Sequence, residues 1–254
     1  MAKIISFINH KGGVGKTTTT INVGASLALK GYKVLVIDLD PQMNLTQSFG
    51  MENVGEQSIY EALTDLADKG INNIPIYNIK NNLDIVISSL DLSVAEVELM
   101  NEPGKEFLLK ELIKPIKKKY DYILIDCMPA LGLLTINALT ASSHVIIPIQ
   151  AEFLALKGML KLIFVIEKVK SRLNKPLNFS GVVLTQFQSN VNLHKTVEEQ
   201  VTSHFDNVFD TRISKNISLA EAQSHLQDVF SFSPKSSGAE DYNNLTEEII
   251  TKLK

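Results

Sequence analysis

With a single cysteine, Cys127, in 254 residues, the chain has no disulfide framework and no zinc site built from several cysteines of one subunit; this suits a reducing compartment. Long apolar runs and an amino-terminal signal-peptide pattern are also missing, so a cytoplasmic protein without stable membrane association is expected. There is no basic excess either: 25 Lys and Arg stand against 28 Asp and Glu, a formal net charge of −3. Bulk charge therefore does not advertise nucleic acid, and any such contact must come from a local patch. Arginine is scarce, with only Arg172 and Arg212. No internal repeat or low-complexity linker divides the chain, so residues 1–254 are expected to form one domain.

Present instead are short apolar runs rich in β-branched residues, alternating with runs of helical periodicity. That alternation predicts an α/β fold with a predominantly parallel twisted sheet and helices on both faces. With 44% hydrophobic residues, a chain of this length can bury a substantial core.

The first such alternation frames the stretch Phe7 to Thr20. An apolar run (Ile4, Ile5, Phe7, Ile8) precedes a glycine-rich loop, and a helical run from Thr17 to Lys30 follows it. Gly12, Gly13 and Gly15 let the backbone curl until several N–H groups point inward, and the helix start adds its positive dipole end. Lys16 is placed to reach terminal phosphates and Thr17 to ligate Mg²⁺, which implies a nucleoside triphosphate with its metal. The general pattern G-x-x-x-x-G-K-[ST] is incomplete, because its first glycine falls on His10. The loop reads K-G-G-V-G-K-T, with a second lysine, Lys11.

Two further apolar runs end in carboxylates. Val34 to Ile37 delivers Asp38 and Asp40 to the carboxyl edge of the sheet, where ligands of open α/β folds bind. On residue type alone these aspartates could equally cap the turn before Pro41; the phosphate loop one helix upstream favours chemistry. Tyr122 to Ile125 delivers Asp126, placed to hold Mg²⁺ opposite Thr17. Cys127 next to it lacks an evident base and reads as a buried structural residue.

Helices are expected over 91–100, 105–119 (ended or kinked by Pro115) and 192–205, with strands at 83–88, 145–149 and 179–184 and a short one around 208–213. A long helix from about Leu156 to Leu173 carries Lys157, Lys161, Lys168 and Arg172 within about a sixth of a turn at 100° per residue. Such a stripe suits sequence-independent phosphate contact, or is simply a solvated face. The same choice stays open for Lys117–Lys119. Ser58 with Glu61, and Ser237 with Glu240, stand in capping-box register.

The loop resembles the deviant Walker A of the ParA/MinD/nitrogenase-iron-protein ATPases, and the rest of the chain is similar to the ParA (Soj-like) branch. Besides the loop, the likeness rests on the D-x-D-P-Q stretch at Asp38, the D-C-M-P-A-L-G-L-L-T stretch at Asp126 and S-K-N-I-S-L-A-E-A at Ser214. The resemblance implies a slow, stimulated ATPase for DNA partitioning in plasmid or chromosome segregation, using ATP and Mg²⁺. An ATP-bound homodimer would coat double-stranded DNA non-specifically, associate with the nucleoid, and be released when a ParB-like partner stimulates hydrolysis. It implies that Lys11 reaches across the dimer, Gly12 leaves room for that approach, and Lys11, Lys16 and Asp40 serve hydrolysis. Lys11 to Thr18, including Val14, would then hold the nucleotide. Thr17, Asp38 and Asp126 would face the metal, Asn216 the adenine, and Lys195 and Lys215 join the basic stripe in DNA contact. Met43 and Met128 depart from the family pattern, as do Ser214 and Ser218. Larger relatives carry an amino-terminal DNA-reading domain, which the loop's position near residue 10 leads one not to expect. The alternative is a MinD-like membrane-cycling regulator of division or positioning, against which the acidic last helix speaks. An iron–sulfur reductase would require more than one cysteine per subunit.

Overall fold

The computed structural model describes residues 2–152 and 155–253, and the side chains of all of these but 155 and 157. Strand β1 (Lys3–Phe7) runs through the glycine loop into helix α1 (Lys16–Leu29), followed by β2 (Val34–Leu39), α2 (Asn44–Ser48) and α3 (Ile59–Lys69). A hairpin of β3 (Tyr77–Lys80) and β4 (Leu83–Val86) comes next, then α4 (Leu92–Glu98), α5 (Leu108–Ile113), β5 (Tyr122–Cys127), α6 (Leu133–Ala141) and β6 (His144–Gln150). The chain continues through α7 (Ala155–Arg172), β7 (Asn178–Thr185), α8 (Asn192–His204), α9 (Ile217–Ser224), α10 (Val229–Phe232) and α11 (Ser237–Lys252).

The strands form one sheet in the order β3-β4-β2-β5-β1-β6-β7, parallel throughout except for the β3–β4 edge. Side chains of a strand alternate between faces, and here both faces are buried. Ile5 and Phe7 of β1 join Val34 and Val36 of β2 under α1 and α11, whereas Ile4, Leu35, Ile37 and Ile125 join the opposite core with α3, α5, α6 and α7. The predicted α/β class and two-sided sheet are thus found. Helix α1 leaves no room for a side chain at its contact with the sheet: a Cβ on Gly24 would come within 3.0 Å of Val36 Cγ1. A glycine in a helix interior costs stability, and here it lets α1 settle low enough to aim its amino end at the strand ends.

Several expected elements differ. The run 105–119 is a 3₁₀ turn (Lys105–Phe107) and the short α5, which stops before Pro115, a residue with no N–H to continue the ladder. The polar stretch 70–82, which carries no strand signal, contains β3; its hairpin turns through Asn82 in the left-handed region (φ 63), a setting asparagine tolerates. The strand expected at 208–213 reduces to isolated bridges, Val182 with Val208 and Phe187 with Ser214. Between them the N–H groups of Asp210 and Thr211 donate to the Glu248 carboxylate at 2.8 and 3.0 Å, which interrupts the ladder. The Ser58–Glu61 capping box is present, but Ser237 is already the first residue of α11, whose cap is Ser236, its hydroxyl accepting from the Ala239 N–H at 3.2 Å, while the Ser237 hydroxyl accepts from the Asn216 amide at 2.6 Å.

Gly24→Val would force α1 away from β2 and β5. The expected loss is about 2 kcal/mol or more, read from the midpoint of urea unfolding.

Candidate phosphate-binding site

The glycine loop owes its shape to two left-handed residues, Gly13 (φ 74) and Gly15 (φ 86), the latter immediately before α1. A Cβ at Gly12 or Gly13 would meet nothing within 4 Å. Packing within the chain therefore does not ask for a small residue at Gly12, and the space beside it is open to another molecule. A cavity of about 500 Å³ covers this loop, lined by Gly12, Gly13, Lys16, Thr17, Asp40 and Gln42 among others. The Lys16 side chain is nearly buried, and burial lowers its pKa despite the nearby Asp126 charge. Its Nζ donates to the Lys11 carbonyl at 3.1 Å.

Register brings the carboxylates together. Asp38 of β2 and Asp126 of β5 are directly paired, and neighbours Ile37 and Ile125 point into the opposite core. Both aspartates consequently face the side on which α1 lies, and the Thr17 hydroxyl donates to Asp126 Oδ2 at 2.6 Å. Asp126 Oδ1 is buried and has no partner. Burial, then the Asp38 charge, push the Asp126 carboxyl up to about 8. Asp38 is pushed up to about 7 by burial, partly offset by hydrogen bonds from the Thr46 hydroxyl (2.7 Å) and N–H (2.8 Å). Among the described residues no group of three or more His, Cys, Asp or Glu side chains forms a metal cage. One hydroxyl and one carboxylate with an unclaimed oxygen fit Mg²⁺, which takes few protein ligands and completes its octahedron with phosphate and water.

Asp40, not Asp38, lines the cavity, its Oδ1 accepting from the Gln42 N–H at 2.9 Å. Asp38 stands behind, holding the 40–46 turn through Thr46. Met43 in that turn adopts φ 59, a conformation natural to glycine. Lys11 is half exposed and pairs with Glu152 of the same chain. Val14 is buried, while Thr18 lines both the first cavity and a second of about 420 Å³ shared with Gly15, Gln186 and Gln223. Asn216 lines this second cavity and caps α9, its Oδ1 accepting from Ser218 N–H at 2.8 Å. One amide hydrogen remains beyond the bond to Ser237. Cys127 is buried and its thiol pushed up by burial, the inert setting expected.

Of the basic residues, Lys161, Lys168 and Arg172 share one exposed face of α7, and Lys195 is exposed on α8, which packs against α7. Lys215 lies apart, at the second cavity. The Lys157 side chain falls outside the described ones. Leu160 and Phe164, 50% and 70% exposed, border the stripe, so this face is apolar as well as basic. Three residues escaped the sequence reading: Thr46, Glu152 and Gln186. Glu152 and Gln186 act over separations of 141 and 173 residues, Thr46 over eight, and none of the three belongs to a motif that announces its partner.

Strand, glycine loop, helix and a facing aspartate at a parallel sheet edge define a P-loop protein of the nucleotide-hydrolysing kind. Residues 2–179 match the family described as AAA domain. The chain is 44% identical to the sporulation initiation inhibitor protein Soj of Bacillus subtilis over 98% of each chain. It is 41% identical to the chromosome-partitioning ATPase Soj of Treponema pallidum, over 99% of this chain and 98% of that one. Its fold matches that of a plasmid partition protein from Borrelia burgdorferi, solved bound to AMPPNP, with TM-score 0.84, 32% identity and coverage of 99% and 100%. The chain belongs to the ParA/Soj family of partitioning ATPases.

The raised carboxyls set a pH dependence for the ligand-free chain. Between about pH 4, where an unfolded aspartate titrates, and about pH 8, the native state binds more protons than the unfolded one. Stability then falls as pH rises through that window. In the presence of a chelator the melting midpoint is expected to drop by a few degrees from pH 6 to pH 8, and Asp126→Asn to raise it at pH 8 and flatten the slope.

Proposed function

We propose that this chain is an ATP-driven DNA-segregation switch: ATP and Mg²⁺ bind at the glycine loop, and two copies close face to face over the nucleotides. The closed dimer binds double-stranded DNA without sequence preference. Hydrolysis, stimulated by a ParB-like centromere-binding partner, releases it. The observation that carries this reading is the phosphate loop with open space beside Gly12, set against the unclaimed oxygen of Asp126. Two features of the relatives point the same way: one is a chromosome-partitioning ATPase by name, and the solved plasmid partition protein holds an ATP analogue.

The residues divide the work. The loop's N–H groups and the buried Lys16 ammonium neutralise the phosphates, while Thr17 and Asp126 hold the metal. Magnesium, when bound, stabilises the charge that develops on the departing phosphate. Asp40, on the cavity wall, orients the attacking water. Lys11, released from Glu152, reaches the partner subunit's phosphates through the space beside Gly12, and Asn216 uses its remaining amide hydrogen on the base. The exposed cations of α7, with Lys195 and Lys215, meet the DNA backbone, which places the protein on the nucleoid. A membrane-cycling role has less support: the apolar face of α11 (Tyr242, Leu245, Ile249) is buried in the core, and no described helix is long and apolar enough to cross a bilayer.

Asp40→Ala is expected to leave ATP binding within about twofold of the parent and lower turnover by at least about 10²-fold, measured by nucleotide titration beside phosphate release. Light scattering with AMPPNP and Mg²⁺ should report a dimer that shifts DNA in gels at low salt and releases it at high salt. A monomer that ignores DNA under those conditions sinks the proposal. Combining Lys161→Glu, Lys168→Glu and Arg172→Glu should weaken DNA binding about tenfold or more and reduce its salt slope, with dimerisation unchanged.

A further inference from the structure

We infer that Gln186 is a positioning residue for the nucleotide: its carboxamide clamps the Gly13 carbonyl and holds the phosphate loop in its binding shape. The inference deepens the reading of this loop as a triphosphate cradle and rests on it.

Gln186 follows the last residue of β7, and its backbone sits at φ 52. A residue with a Cβ pays for that conformation in steric energy, which glycine would not. In return the side chain reaches the loop. Its Nε2 donates to the Gly13 carbonyl at 2.8 Å, and its Oε1 accepts from Gln150 Nε2 at 3.1 Å. The orientation of the amide follows from chemistry, since a carbonyl can only accept: the nitrogen must face Gly13, leaving the oxygen for Gln150. Next to it the Thr185 hydroxyl lies 2.8 Å from the Val14 carbonyl and 3.0 Å from that of Ile149. The Gly13 carbonyl is thus held from the end of β7, and the Val14 carbonyl shares the single Thr185 hydroxyl hydrogen with that of Ile149.

The clamp matters because the carbonyl and the N–H of one planar peptide point opposite ways. Holding the Gly13 oxygen toward Gln186 directs the Val14 N–H away from it. Were that peptide to turn over, the loop would present an oxygen where a phosphate needs a donor. Gly13, with no Cβ and φ 74, is free enough to turn without such a hold. Gln186 also lines both cavities, the one over the loop and the one at Asn216. It therefore stands where the base and phosphate halves of one nucleotide meet.

The test pairs two variants that lose the amide alike but differ in their effect on folding. Gln186→Met keeps the length and the strained backbone but removes the amide. Gln186→Gly removes both the amide and the strain. Titration of the full chain with Mg²⁺–ADP and Mg²⁺–AMPPNP should show about three- to tenfold weaker binding for each, the worth of one neutral hydrogen bond. Melting without nucleotide should leave the Met variant near the parent and raise the midpoint of the Gly variant. A residue with only a structural role would lose binding in step with stability, and that correlation overturns the inference. So does binding by both variants equal to that of the parent, which removes the clamp while sparing the reading of the site. A parent chain that binds neither nucleotide overturns that reading and the clamp with it.

Discussion

Everything at the functional edge depends on two carboxyl groups buried where the sheet register leaves no alternative. Asp38 and Asp126 are cross-strand neighbours without access to solvent, and Thr17 satisfies only one oxygen of the pair's inner member. A buried carboxylate without a matching cation is costly. Lys16 supplies part of the match, at the expense of its own hydration, and without a metal ion the carboxyls keep their protons well above the ordinary carboxylate range. The ligand-free fold is in this sense an electrostatic half, and its α1 is set close to the sheet by Gly24 so that the loop can deliver the other half.

Strain gathers around the same edge. Four described residues other than glycine have positive φ: Met43, Asn82, Gln186 and Leu226. Asn82 sits in a hairpin, where it needs no further account. Gln186 and Leu226 line the cavity over the loop, and Met43 lies between its lining residues Gln42 and Asn44. Backbone held out of its preferred regions tends to collect at binding sites, because the surrounding structure must enforce a shape that the local sequence would not choose.

What the sequence made legible was local chemistry. K-G-G-V-G-K-T between an apolar run and a helix announces a phosphate loop, and apolar runs ending in Asp38 and Asp126 announce the sheet edge opposite it. Boundaries set by proline and the Ser58–Glu61 box were legible for the same reason. Partnerships across the chain were not. Nothing near Gln186 says that it reaches Gly13, nothing near Glu248 says that it breaks a strand at Asp210, and nothing near Ser237 says that its hydroxyl meets an asparagine 21 positions away. The basic stripe shows the same limit: periodicity aligned its charges, but the exposed Phe164 beside them became apparent only with the fold.

The docking of α11 on α1 has a consequence for synthesis. The Tyr242 hydroxyl lies 3.1 Å from that of Thr19, across a separation of 223 residues, and Leu245 and Ile249 fill the same core as Ile21 and Leu27. The helix that carries the phosphate loop thus cannot complete its packing while a ribosome still holds residues past 240. Contacts this remote in sequence form late, so a nascent chain with its loop already exposed still lacks a firm seat for that loop until α11 has emerged and docked.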